Sequence, residues 1–70
     1  MDTIIATKQM QVERKFITIE FRENARGRFL RIIEDVHGRR NAIIVPSTGL
    51  SEFTAGISEV LNEAEKATPA

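Results

Sequence analysis

The chain has 70 residues, equal numbers of basic and acidic side chains, 41% hydrophobic residues, no cysteine and one histidine. That length allows one small domain with a marginal core, because a short chain buries a smaller fraction of its surface than a long one. Disulfides and a Cys/His zinc site are excluded, which leaves self-association as the expected support.

No apolar run approaches the roughly 20 residues of a bilayer span. Residues 1–8 also lack the charged, apolar, small-residue order of a signal peptide. The chain therefore reads as a soluble intracellular protein with no membrane partner and no cofactor. Its zero net charge hides an uneven distribution: residues 14–40 carry eight basic side chains against four acidic ones, while residues 47–70 carry four glutamates against Lys66. Such asymmetry implies a basic face and an acidic back.

Residues 1–5 read as an N-terminal arm. Residues 6–13 alternate weakly, with Met10 and Val12 on one side and Gln9, Gln11 and Glu13 on the other, as in a short edge strand. Residues 16–22 alternate more strongly: Ile17, Ile19 and Phe21 face a core, and Phe16, Thr18, Glu20 and Arg22 face away. Asn24-Ala25-Arg26-Gly27 then supplies turn chemistry, since Asn and Gly both tolerate the positive φ of a tight hairpin.

The return strand, residues 28–36, puts Leu30 and Ile32 on the core side and Phe29, Arg31 and Ile33 on the face of Thr18, Glu20 and Arg22. Phe29 and Ile33 are apolar on an otherwise polar face, so that face either binds something or is covered by a second chain. Arg28 falls on the core side and is expected at the sheet margin, paired with an acidic residue of the helix. A second turn centres on Gly38, where His37, without ligand-spaced partners, reads as a solvated loop residue.

Residues 42–45 form a continuous apolar strand, ended by Pro46, that implies burial on both faces. Ser47 or Thr48 is placed to cap a helix. Leu50, Phe53, Ile57, Val60, Leu61 and Ala64 share one helical face, and Gly56 offers close approach to another backbone. Residues 66–70 read as a disordered tail. The sum is an α+β chain, a four-stranded antiparallel sheet followed by one C-terminal helix (ββββα). One helix covers only one sheet face, so two copies sharing a core are expected.

Functional chemistry concentrates in residues 22–32, RENARGRFLRI. Arg22, Arg26, Arg28 and Arg31 surround the turn, and Phe29 follows it. Guanidinium groups neutralise phosphates and a ring gives a base something to stack on, which suits a single nucleic-acid strand. The alternative at this point is a solvated hairpin whose arginines keep it soluble. No nucleophile–base pair, phosphate loop or metal cluster is present, so no enzyme and no small-molecule substrate are expected.

The segment FRENARGRFLRI (21–32), with TKQMQVERKF (7–16) before it and RNAIIVPSTGLSEF (40–53) after it, resembles the PUR repeat family, the Pur-alpha-like purine-rich-element binding proteins. The resemblance implies one ββββα repeat over residues 6–65 that intertwines with a second copy as a homodimer. It also implies binding of single-stranded DNA and RNA, with preference for purine-rich, especially G-rich, sequence. Destabilisation of duplexes and regulation of transcription or translation would follow, in a bacterial cytoplasm or nucleoid or in a eukaryotic nucleus.

Carried over by position, the resemblance places nucleic-acid contacts at Arg22, Asn24 and Arg26 and a base-stacking ring at Phe29. Arg14, Lys15 and Thr18, near the start of the second strand, join them, and Arg31 shares the face of Phe29. Thr18 stands where relatives often have an aromatic, and Ile33 where they have a polar or small residue. A reading of another class is a dimerisation or protein-interaction module that keeps this fold without nucleic-acid activity.

Overall fold

A computed structural model describes residues 2–67. Four strands come first: β1 (Thr3–Val12), β2 (Lys15–Asn24), β3 (Gly27–Val36) and β4 (Arg39–Pro46). A 3-10 turn, Ser47–Gly49, leads into one helix, α1 (Leu50–Ala67). The strands form a single antiparallel sheet in the order β1-β2-β3-β4, so the expected ββββα architecture is present.

Each hairpin closes on a two-residue loop, with Val12 opposite Lys15, Asn24 opposite Gly27 and Val36 opposite Arg39. Loops this short leave consecutive strands no option but to pair. His37 and Gly38 take φ values of 53° and 84°, the pair of positive angles that a type I′ turn requires. The Gly38 amide donates to Asp35 Oδ1 at 3.0 Å, which holds that turn shut. In the first hairpin Glu13 takes φ 55°, and Gln11 Nε2 donates to its carbonyl at 2.9 Å.

Register divides the sheet into two faces of different chemistry. On the front, Arg22 lies opposite Phe29, Glu20 opposite Arg31, Thr18 opposite Ile33 and Phe16 opposite Asp35. β4 extends these rows with Pro46, Ile44, Ala42 and Arg40. On the rear, Phe21 faces Leu30, Ile19 faces Ile32 and Ile17 faces Glu34, with Val45, Ile43 and Asn41 continuing the rows.

β1 begins at Thr3, so residues 3–5, expected in an arm, are strand. The register shifts between Ile4 and Ala6, putting Ile4 opposite Arg22 and Ala6 opposite Phe21. A bulge adds one residue and breaks the alternation, which is why period-two reading starts the strand late. At the other end α1 includes Lys66 and Ala67, the first residues of the expected tail. The rest of that tail and Met1 lie outside the described residues.

Burial departs from expectation. Among the described residues the one fully buried apolar side chain is Ile33, 5% exposed, and it sits on the front face rather than the expected core side. Ile17, Ile19, Phe21, Leu30 and Ile32 on the rear are only half-buried. Nor is β4 buried on both faces: Ile43 on the rear and Ile44 on the front are exposed.

The helix explains why. Its contacts are concentrated on the 3-10 turn and β4, and none of its residues is buried; Val60 and Leu61 are 68% and 62% exposed. Ser47 and Thr48 sit within the 3-10 turn and provide no side-chain cap there; the turn follows Pro46, and the Leu50 amide donates to the Ser47 carbonyl. The chain exposes 5895 Å², against about 4,400 Å² for a compact monomer of 7.9 kDa. Its radius of gyration, 14.7 Å, likewise exceeds the roughly 11 Å of a compact chain this long. Among the described residues no helix is long and apolar enough to cross a membrane.

The turn geometry makes a direct prediction. Alanine at Gly38 meets no steric obstacle within 4 Å but must adopt φ 84°. A left-handed conformation costs a non-glycine residue about 1–2 kcal/mol. Gly38→Ala should therefore lower stability by that amount, read as a lower urea midpoint with unchanged slope.

Candidate nucleic-acid interface

The β2–β3 turn is built by a side chain. Asn24 Oδ1 accepts from the Arg26 amide at 2.9 Å, an Asx turn, and the positive φ falls on Gly27, at 136°. Asn24 thus serves through its carboxamide and not through the left-handed backbone that its residue type suggested. Its remaining Nδ2 donates to Asp2 Oδ1 at 3.4 Å.

Beside the turn, a shallow pocket of about 370 Å³ is lined by Asn24, Arg26, Gly27 and Arg28 from the hairpin, Phe29 from β3, and Ile44 and Pro46 from β4. Phe29 is half-buried, flanked across the sheet by Arg22 and Pro46. Arg26 projects from the turn, and Arg31 lies one row down the front face between Glu20 and Ile44. Neither guanidinium makes an ion pair among the described residues.

Arg22 is differently placed. Its Nε donates to Glu20 Oε1 at 2.8 Å and its Nη1 to Asp2 Oδ2 at 3.4 Å, leaving the side chain 17% exposed. The hydrogen bond to Glu20 holds the guanidinium even more firmly in its charged form than usual. Glu20 stands two residues earlier on the same strand face, and pairing of the chain's start with the end of β2 brings Asp2 alongside. Arg28 pairs with Glu23 directly across the ladder at 3.2 Å, not with the helix as expected.

The family described as PurA ssDNA and RNA-binding protein matches residues 2–68. This chain belongs to the PurA family. Transcription factor Pur-alpha 1 of Arabidopsis thaliana is 39% identical to it over 64 residues, which is 91% of this chain and 22% of that protein. The chain therefore spans about a fifth of the length of that curated relative.

Within this PUR repeat the expected site residues do not all converge. Asn24, Arg26 and Phe29 meet at one pocket, with Arg22 and Arg31 in the adjoining rows. Thr18 is mid-sheet on the same face, between Gln9 and Ile33. Lys15 is on the rear face, where its Nζ pairs with Glu34 Oε2 at 2.7 Å. Arg14 lies in the β1–β2 turn, about 30 Å from the Asn24 end at strand rise. Ile44 and Pro46 join the pocket only through the β3–β4 register, which no local pattern announces. Among the described residues no cluster of three or more His, Cys, Asp or Glu is placed to hold a metal.

The Lys15–Glu34 pair has a defined pH signature. The Lys15 hydrogen bond and charge hold the Glu34 carboxyl below its ordinary range, and Glu34 in turn raises Lys15. The contribution from Glu34 is present above its unfolded pKa and is lost as pH falls through the lowered folded value. The contribution from Lys15 is present below its unfolded pKa and is lost as pH rises through the raised folded value. In Lys15→Ala, the Glu34 carboxyl should titrate at higher pH than in the parent protein, as read by carboxyl NMR.

Proposed function

We propose that this PUR repeat binds single-stranded DNA or RNA, with preference for purine-rich sequence, as a homodimer. The observation that carries the reading is the meeting of Asn24, Arg26 and Phe29 at one pocket, with Arg31 in the next row and neither Arg26 nor Arg31 making an ion pair among the described residues. A single strand needs cations for its phosphates and a ring for its splayed bases, and affinity from such contacts falls steeply with salt. Purines offer Phe29 the larger stacking area. Asn24 Nδ2 has a donor for a base edge, and Arg22, held by Glu20 and Asp2, lines the margin of the site.

Homodimerisation is supported by the surface left open. The helix carries an exposed apolar groove at Phe53, Gly56, Ile57, Val60 and Leu61, and the rear of the sheet is apolar. The chain exposes roughly 1,500 Å² more than a compact monomer, enough for an interface of ordinary size. A dimer would present two strand-binding ends and hold separated strands of a weak duplex without nucleotide hydrolysis. A role in transcription or translation, in the cytoplasm, nucleoid or nucleus, belongs to the same proposal. The reading as an interaction module without nucleic-acid activity has less support, since it leaves Arg26, Arg31 and Phe29 without a purpose.

Fluorescence anisotropy with a G-rich single-stranded oligonucleotide tests this. Phe29→Ala should cost about 1–3 kcal/mol of binding. Arg26→Ala should flatten the log–log salt dependence by about 0.7, the contribution of one phosphate contact on a single strand. Absence of binding at low salt, or binding untouched by Phe29→Ala and Arg26→Ala together, would sink the reading. Sedimentation should give twice the chain mass, and a stable folded monomer would overturn the dimer.

A further inference from the structure

The front face carries a second ring that the Phe29 pocket does not use. Phe16 is 40% exposed near the far end of β2, opposite Asp35 and in one row with Gln11 and Arg40. We propose that Phe16 is a second base-stacking platform, so that one bound strand runs the length of the front face from Phe29 to Phe16. The inference rests on the single-strand reading above and extends it to a contact that the turn-end cluster does not include.

Three observations select a nucleic-acid strand as the occupant. First, the path between the rings carries Arg31 and Thr18 with Thr7 and Gln9 of β1 on one side, and its apolar members, the buried Ile33 and Ala42 and Ile44 of β4, lie on the other. Apolar surface for a second copy is present elsewhere, on the stripe of α1 and on the rear face. Second, the front-face carboxylates already have partners. Glu20 is held by Arg22 at 2.8 Å, and Asp35 accepts the Gly38 amide and lies 3.9 Å from Arg40.

Third, cations line the route. Arg31 lies one row from Phe29 and Arg14 is in the turn beside Phe16, and neither makes an ion pair among the described residues; Arg40, in the row of Phe16, stays largely exposed. Asp35, opposite Phe16, is six positions along β3 from Phe29, so the rings stand about 20 Å apart. At about 3.4 Å per stacked nucleotide, and about twice that for an extended strand, the span corresponds to about three to six nucleotides. Thr18, midway, carries no ring and would leave the intervening bases unstacked on protein.

Oligonucleotide length separates this proposal from its parent. Anisotropy is measured with G-rich strands of about 3 nucleotides, too short to reach both rings even when extended, and about 12, long enough to pass both. Phe16→Leu, which keeps apolar bulk, should leave the short strand's affinity within about twofold and weaken the long strand's between about 5- and 150-fold. Phe29→Ala should weaken both.

Equal effects of Phe16→Leu on the two lengths, or none on either, overturn the second platform while leaving the single-strand reading standing. Binding of neither length by the parent protein overturns both. Loss of the dimer in Phe16→Leu by sedimentation would make Phe16 a subunit contact and overturn the platform. The chain has no tryptophan, so Phe16→Trp gives a clean reporter. Its fluorescence should be quenched by the long strand and not by the short one, and quenching by neither overturns the proposal.

Discussion

The hydrogen bond from the Arg26 amide to Asn24 Oδ1, followed by Gly27 at φ 136°, holds β2 and β3 in a single register. Everything on the front face depends on it. Side chains alternate with period two, so a slip of one residue would send Phe29 and Arg31 to the rear and bring Leu30 and Ile32 forward. With the register as it stands, Phe29 faces Arg22, Arg31 faces Glu20, and the turn delivers Arg26 to the rim of the same pocket. The two-residue loop leaves little freedom to rearrange, which is the preorganisation a stacking site needs.

The two faces divide the chemistry. The front gathers rings, arginines and short polar side chains over one buried isoleucine, while the rear and the helix stripe are apolar and largely uncovered. Both sheet edges are open, and each is blunted by residues that discourage indiscriminate pairing: Lys8 on β1, and Arg39, Arg40 and Pro46 on β4. The helix extends from the end of β4 without folding back over the sheet. A chain of this shape leaves most of its apolar surface uncovered.

Charge is spent unevenly along the basic segment. Lys15, Arg22, Arg28 and Arg40 are engaged with carboxylates, whereas Arg14, Arg26, Arg31 and Arg39 make no ion pairs among the described residues. Zero net charge therefore coexists with guanidiniums at Arg26 and Arg31, beside the pocket, that make no ion pair among the described residues. Among the engaged pairs, an exposed one such as Arg28–Glu23 contributes about 0–1 kcal/mol, so it restrains geometry more than it stabilises the fold.

The sequence by itself determined the order of elements, the turns at Asn24–Gly27 and at Gly38, the helical stripe and the sharing of one face by Arg22, Phe29 and Arg31. These rest on alternation, 3.6-residue periodicity and turn chemistry, which are local and can be counted. Two further local signals were present in the chain: Lys15 shares parity with the rear-facing Ile17, and Glu20 stands two residues from Arg22 on one strand face. Tertiary structure alone decided the bulge that recruits Thr3 to Ile5 into β1, the approach of Asp2 to Arg22 and Asn24, and the entry of Ile44 and Pro46 into the pocket. It also decided that Ile33 is buried while the expected core side stays half-open. Each of these depends on which strands lie side by side and on where the helix does not go. Pairing across the sheet and the path of a whole helix are set by distant residues acting together, and no local period records them.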